Sequence, residues 1–177
     1  MQAPVVTGVS PSRASTIGGT ILRVQGLGFG GSDGDIVSVQ VGGRPCLNLD
    51  MRGDREIRCS LPAGVGARLS VEVVNAVGLR SSEARVFSYN APVLNTVTPP
   101  TALTAPDNTT RLNVLLEGES IASGNRSDDA PVILVGGVSC TQIMVISTST
   151  VRCIGLDASA WTSGRVSLEL GGQTATS

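Results

Sequence analysis

The sequence predicts an all-β protein made of two similar β-sandwiches, because composition, local patterning and an internal repeat point the same way. The 177 residues include 22 glycines and 9 prolines, which is typical of a chain with many turns between short strands. Hydrophobic residues make up 41% of the chain but aromatic residues only 2%, so aliphatic side chains must fill the core. No segment shows the i, i+3, i+4, i+7 apolar spacing of an amphipathic helix.

Residues 18–30 contain one strand followed by a glycine-rich loop. Gly18 and Gly19 indicate a turn, since glycine accepts the positive backbone angles of tight turns. Residues 22–25 then alternate apolar and polar side chains, the period of a strand with one buried face. Glycines at 26, 28 and 30 flank Phe29, one of two phenylalanines in the chain, and this pattern predicts an apolar plug folded under a loop.

The remaining strands are predicted from short apolar segments, most of them alternating with polar residues and separated by turn-rich segments of the length expected in a sandwich. They lie at residues 37–41, 69–73 and 86–89 in the first half, and at 112–116, 132–135 and 166–170 in the second.

A repeat divides the chain into two copies. Cysteines at 46 and 59 recur at 140 and 153, and the glycine pair at 42 and 43 recurs at 136 and 137, a shift of 94 residues each time. A fixed shift of this kind predicts two copies of one unit, residues 1–90 and 91–177. The second copy has no counterpart of Phe87-Ser88-Tyr89 and is therefore expected to lack its last strand, as in a fragment. The connection at residues 89–92 is short and contains a proline, which predicts a stiff tandem segment.

Charge and residue usage exclude several classes of function. All 13 basic residues are arginine, histidine is absent and the net charge is −1, so no basic surface for nucleic acid or membranes is expected. Without histidine, the usual general base and zinc ligand are missing, and we predict no enzyme, cofactor or small-molecule substrate. Acidic loops at residues 32–35 and 127–129 suggest calcium only weakly, because the turn preferences of Asp and Ser explain them.

The localisation follows from the repeat. No apolar run is long enough to span a bilayer, and residues 1–4 lead directly into the first strand without a secretory signal. The chain is therefore either intracellular or a piece of a longer secreted or membrane-anchored protein, and the tandem repeat favours the second alternative.

The first copy resembles a known domain family. The residues that carry the resemblance are Pro4, Ser10-Pro11, Gly18-Gly19-Thr20, the glycines around Phe29, Val39 to Gly43, Cys46, Ile57-Arg58-Cys59, Pro62-Ala63-Gly64, and the ending from Val71 to Tyr89. They are similar to an IPT/TIG domain, the immunoglobulin-like fold shared by plexins and transcription factors. The second copy departs from this pattern at residues 106–108 and 120–121 and keeps its cysteines and its glycine pair.

The resemblance implies two tandem immunoglobulin-like β-sandwiches with one disulfide in each, Cys46–Cys59 and Cys140–Cys153. Buried free thiols are the alternative. Disulfides imply an oxidising compartment, hence an extracellular or cell-surface location. In that setting the two sequons predict glycosylation at Asn108 and Asn125.

The function expected from this family is a non-enzymatic adhesion or spacing module of a receptor-like ectodomain, which contacts protein partners and neighbouring domains. The loop around Phe29 and the junction at residues 90–92 are candidate contact surfaces, whereas Trp161 is assigned to packing. Two other readings stay open. The domains are alternatively accessory modules of a large extracellular carbohydrate-active enzyme, or the TIG module of a DNA-binding factor, which would require reduced cysteines and a basic loop.

Overall fold

A computed structural model of the chain describes residues 2–32, 34–82, 84–104, 110–123, 129–157 and 165–177, with the backbone alone for residues 99–104 and 110. The chain divides into two compact units, Met1–Tyr89 and Asn90–Ser177. Both are built from β-strands, and the described residues form no α-helix, which confirms the all-β prediction.

Unit 1 is a sandwich of two sheets. The first has the strand order β1-β3-β7-β6, and the second has the order β2-β9-β8-β4-β5. The strands are β1 (Val5–Ser10), β2 (Arg13–Ala14), β3 (Ile21–Leu27), β4 (Ile36–Val41), β5 (Arg44–Pro45), β6 (Leu47–Met51), β7 (Glu56–Ser60), β8 (Leu69–Asn75) and β9 (Ala84–Tyr89).

The core of unit 1 lies between these sheets, as the alternation in the sequence predicted. In β3 the buried residues are Leu22, Val24 and Gly26, while every second residue faces solvent. The two aromatic rings of β9 pack edge to face, with the centroids of Phe87 and Tyr89 5.1 Å apart. The other core residues come from both sheets: Val6, Ala14, Phe29, Ile36, Val39, Val41, Cys46, Ile57, Cys59, Leu61, Val71 and Val73.

Unit 2 is also built from two sheets, with the strand orders β10-β11-β15-β14 and β13-β12-β16-β17. The strands are β10 (Val93–Thr104), β11 (Thr110–Glu119), β12 (Val132–Val135), β13 (Val138–Ser139), β14 (Gln142–Ser147), β15 (Thr150–Asp157), β16 (Val166–Leu170) and β17 (Gln173–Thr176). The first order matches β1-β3-β7-β6 of unit 1 strand for strand along the chain, so the repeat in the sequence is also a repeat of pairing.

The sequence pattern does not predict β17, the strand that follows residues 166–170, while the expected lack of a counterpart of Phe87-Ser88-Tyr89 stays a prediction. β17 pairs antiparallel with β16, with Leu168 opposite Ala175, just as β9 pairs antiparallel with β8. A two-residue turn at Gly171 and Gly172, both with positive φ, joins the two strands. β17 has one buried apolar residue, Ala175, and no aromatic side chain, so its sequence pattern is too weak to predict a strand.

Candidate functional site

Phe29 is a core plug and not a contact residue. Its side chain is 1% exposed, and its amide donates to the carbonyl of Asp54 at 3.2 Å, which holds the loop over the end of the sandwich. Gly26 makes this possible, because a Cβ there would collide with the Val5 carbonyl and the Phe29 ring. The ring is therefore the apolar plug that the sequence predicted and faces inward, while a protein contact by the loop around Phe29 stays a prediction.

The loop that follows Phe29 is held by two carboxylates. Asp54 accepts the amide of Gly30 at 3.0 Å, and one oxygen of Asp35 accepts the amides of Gly31 and Ser32, each at 2.9 Å. Asp35 therefore has the turn-stabilising role that the turn preferences of Asp predict for this loop. Among the residues that the structure describes, no group of three acidic, histidine or cysteine side chains could hold a metal ion.

Unit 2 contains the same plug with a different side chain. Ile121 is fully buried. Gly118 lies against the Val93 carbonyl and the Ile121 side chain, as Gly26 lies against the Val5 carbonyl and the Phe29 ring. The amide of Gly118 donates to the Ser149 carbonyl at 2.9 Å, and that of Ile121 donates to the Thr148 carbonyl at 3.0 Å. In unit 1 the corresponding acceptors are residues 55 and 54, so the acceptors are shifted by 94 residues and the donors by 92.

Each unit has one disulfide at the point where the chain crosses from one sheet to the other. Cys46 lies between β5 and β6, which belong to different sheets, and it is bonded to Cys59 on β7 with a Cα–Cα distance of 5.7 Å. Cys140 lies between β13 and β14 and is bonded to Cys153 on β15, with a Cα–Cα distance of 5.6 Å. All four cysteines are thus paired, so the free-thiol alternative is not the state seen here.

The two predicted glycosylation residues, Asn108 and Asn125, lie outside the described residues, as does Trp161. They remain predictions from the sequence.

An open depression of about 540 Å³ lies at the hairpin of β12 and β13 in unit 2. It is lined by Leu134, Gly136, Gly137, Arg165 and Ser167. Arg165 is the only ionisable group in this lining, and it already interacts with another part of the chain. A catalytic site needs several converging polar groups, which this lining does not provide.

A surface feature that the sequence analysis missed is β14, the outer strand of the β10-β11-β15-β14 sheet. Met144 is 46% exposed and Ile146 is 51% exposed on this strand. Four successive apolar residues hide the period of two, so neither the strand nor its exposure could be read from the pattern.

The described residues include no helix with the length and apolar character that a membrane-crossing helix needs.

Comparisons with known proteins agree with the fold. The family model of the IPT/TIG domain matches residues 4–89. Fibrocystin-L of Mus musculus is 37% identical over 78 residues, which are 44% of this chain and 2% of that protein. The surface glycan-binding protein PbSGBP-B from Prevotella bryantii is 12% identical, with a TM-score of 0.55 over 100% of this chain and 42% of that one. The extracellular region of plexin A4 is 17% identical over 97% of this chain and 17% of that chain, with a TM-score of 0.45. This chain therefore spans only a small part of its relatives.

Proposed function

We propose that the whole chain is a non-enzymatic extracellular segment of two IPT/TIG domains, the family whose model matches residues 4–89. In this proposal the segment is part of a larger cell-surface or secreted protein, where it spaces other domains or presents surfaces to protein partners. Residues 1–90 are the first domain and residues 91–177 the second.

The assignment of the second domain is supported by the repeated backbone of unit 2. Its disulfide lies at the same sheet crossover as that of unit 1, and its plug makes the same pair of backbone bonds with Ile121 in place of Phe29. These features depend on strand order and register, so they persist where the side chains have diverged.

The extracellular location is supported chiefly by the two disulfides. A bridge that closes a loop of this length contributes about 3 kcal/mol in the chain-entropy model. Such bridges persist in oxidising compartments and are rare in the cytosol. This is the observation that carries the proposal.

The carbohydrate alternative has weaker support. One structural neighbour is a glycan-binding protein by name, but at 12% identity it indicates a common fold alone. Aromatic side chains are among the groups that line ligand sites, and in the described part of the chain Phe29, Phe87 and Tyr89 are all buried.

The DNA-binding alternative would require a basic loop and reduced cysteines, and it conflicts with the net charge and with the paired cysteines. The net charge is −1, and the arginines of the β6–β7 hairpin are interleaved with acids. Arg52 pairs with Asp50 at 2.7 Å, and Arg58 pairs with Glu56 at 2.6 Å, so this hairpin is a mixed surface and not a phosphate track.

A non-reducing peptide map by mass spectrometry, on protein from its native source, tests this proposal. We expect linked Cys46–Cys59 and Cys140–Cys153 peptides, and glycan on Asn108 or Asn125. Asn48, which is exposed but not in a sequon, is the matched control and should remain unmodified. Free thiols together with unmodified sequons would overturn the extracellular assignment and favour the intracellular TIG alternative.

A further inference from the structure

The edge strand β14 is open to pairing. It runs from Gln142 to Ser147, is bonded to β15 on one side, and has no described strand on the other. Its sequence, Gln-Ile-Met-Val-Ile-Ser, contains no charged residue and no proline. Its register with β15 is regular from Gln142 to Val145 and shifts only before the last pair. An apolar, regular edge strand of this kind is a template for another strand.

The other long edges in the described part of the chain have features that hinder pairing. β10 contains Pro99 and Pro100, which have no amide hydrogen, and its register shifts twice. β1 has a bulge near its middle, between Val6 and Gly8, whereas the shift in β14 comes only before its last pair. β6 has a register shift, a positive φ at Asn48, and charged side chains at its end. The edges β2, β5, β13 and β17 are two to four residues long. β14 therefore stands apart from the other edges.

We propose that β14 pairs antiparallel with β14 of a second copy of this chain, around a twofold axis at Met144. Paired residues of a continuous sheet must share a face, so the register must place each residue opposite one of the same parity. Centring on Met144 does this. Met144 faces its own counterpart on the outer surface, while Ile143 faces the second copy's Val145 on the inner surface, and all three residues lie in the regular part of the strand.

A second copy can pair with β14 without a charge penalty. With no charged residue on β14, self-pairing puts no like charges opposite each other. The nearest outward charge is Arg152, opposite Met144 on β15. In the joined sheet the two Arg152 side chains are three strand spacings apart, roughly 14 Å. That is more than the Debye length of about 8 Å at physiological ionic strength, so their repulsion is largely screened.

The expected interaction is weak. A pair of six-residue strands buries less than the roughly 800 Å² per partner of a typical stable interface. An array of such domains would gain from multivalency. The biological role of this pairing rests on the proposed adhesive function, for which it names a partner. The pairing itself is a property of this chain alone.

Analytical ultracentrifugation of the 177-residue chain from about 10 μM to about 1 mM tests the inference over the range where weak dimers form. We expect the wild-type chain to dimerise with increasing concentration. Met144→Lys should weaken the dimer at least about tenfold, because it places two like-charged side chains directly opposite each other, with their Cβ atoms about 5 Å apart. Val132→Lys is the matched control: Val132 is 51% exposed but lies on β12, a central strand, and this variant should dimerise like the wild type.

A charge-swap experiment separates lost pairing from lost folding. Met144→Lys and Met144→Glu should each be monomeric, and an equimolar mixture should dimerise again, since the proposed register sets the two side chains opposite each other. A monomeric wild type at about 1 mM, equal weakening by Val132→Lys, or no recovery in the mixture would each overturn the inference. None of these results would alter the disulfide and glycan map, so failure of the inference is distinguishable from failure of the proposed function.

Discussion

Replacing the plug, Phe29→Ala, should strongly destabilise unit 1. The ring is 1% exposed and lies in the core cluster of unit 1, so its removal loses the apolar burial of a whole phenylalanine and leaves a cavity. Such truncations cost about 3–5 kcal/mol. Because a domain of this size is stable by only about 5–15 kcal/mol, the loss is a large fraction of the total. With an m value of about 1.5 kcal/mol per M, the urea midpoint should fall by roughly 2 M or more.

Hydrogen–deuterium exchange with mass spectrometry at increasing urea measures this effect on peptides from unit 1. Two variants calibrate it. Ile121→Ala removes the equivalent plug of unit 2 and should cost about 2–5 kcal/mol on peptides from unit 2. Ile17→Ala truncates a side chain that is 62% exposed and should change the free energy of unfolding by less than about 0.5 kcal/mol. If Phe29→Ala shifts the midpoint no more than Ile17→Ala does, the ring is not part of the core and the reasoning fails.

Three further substitutions test other parts of the design. Gly26→Ala should destabilise unit 1 by about 2 kcal/mol or more, because the new methyl group meets the β1 carbonyl and the plug. Gly8→Ala, where a Cβ meets nothing within 4 Å, is its control in the same urea titration, and equal losses would argue against a steric cause. Asp35→Ala should cost about 1–2 kcal/mol and speed amide exchange in the loop at residues 31–32, since that carboxylate accepts both amides; unchanged exchange there would contradict this role. Replacing Cys140 and Cys153 together by serine should cost unit 2 about 2–5 kcal/mol in the same assay, and a loss below about 1 kcal/mol would show that the bridge does not constrain this unit.

Strands with one buried face were predictable from the sequence because their pattern is local. The alternating segments at 69–73 and 166–170 are strands in the structure, and each buries the face that its apolar residues define. The segment at 37–41 is also a strand, but a register shift between Ile36 and Ser38 leaves Val37 58% exposed and buries Ile36 instead. β17 and β14 were missed for opposite reasons. The segment at 173–176 has too few apolar residues, whereas the segment at 142–147 has apolar residues on both faces. Period-two reasoning needs contrast between faces, and neither strand offers it.

The plug shows which part of a site can be predicted and which part cannot. A phenylalanine between glycines indicated an apolar side chain that turns back under a loop. The loop is held in place by the hydrogen bond from the Phe29 amide to the Asp54 carbonyl, 25 residues away in sequence, which a local pattern does not reveal. In unit 2 Gly118 matches Gly26, but Ser120 and Ala122 stand in place of Gly28 and Gly30, yet the same two backbone bonds form. Both units therefore have a glycine three residues before the plug and an apolar side chain as the plug itself, so a search for phenylalanine alone would miss unit 2.

Edges are the part of this protein that local patterns describe least. Whether a strand is central or at an edge depends on which distant segment pairs with it, and β14 is an edge because β15 has β11 on its other side. In a repeat protein the two units share their cores but need not share their edges. β6 and β14 occupy the same place in the strand order, yet β6 has a register shift in its middle and carries a charge, whereas β14 is uncharged and shifts only before its last pair. If the two units have the same fold and different tasks, the difference should be found at this edge. The same Met144→Lys change that abolishes pairing should then leave the free energy of unfolding of unit 2 almost unaltered.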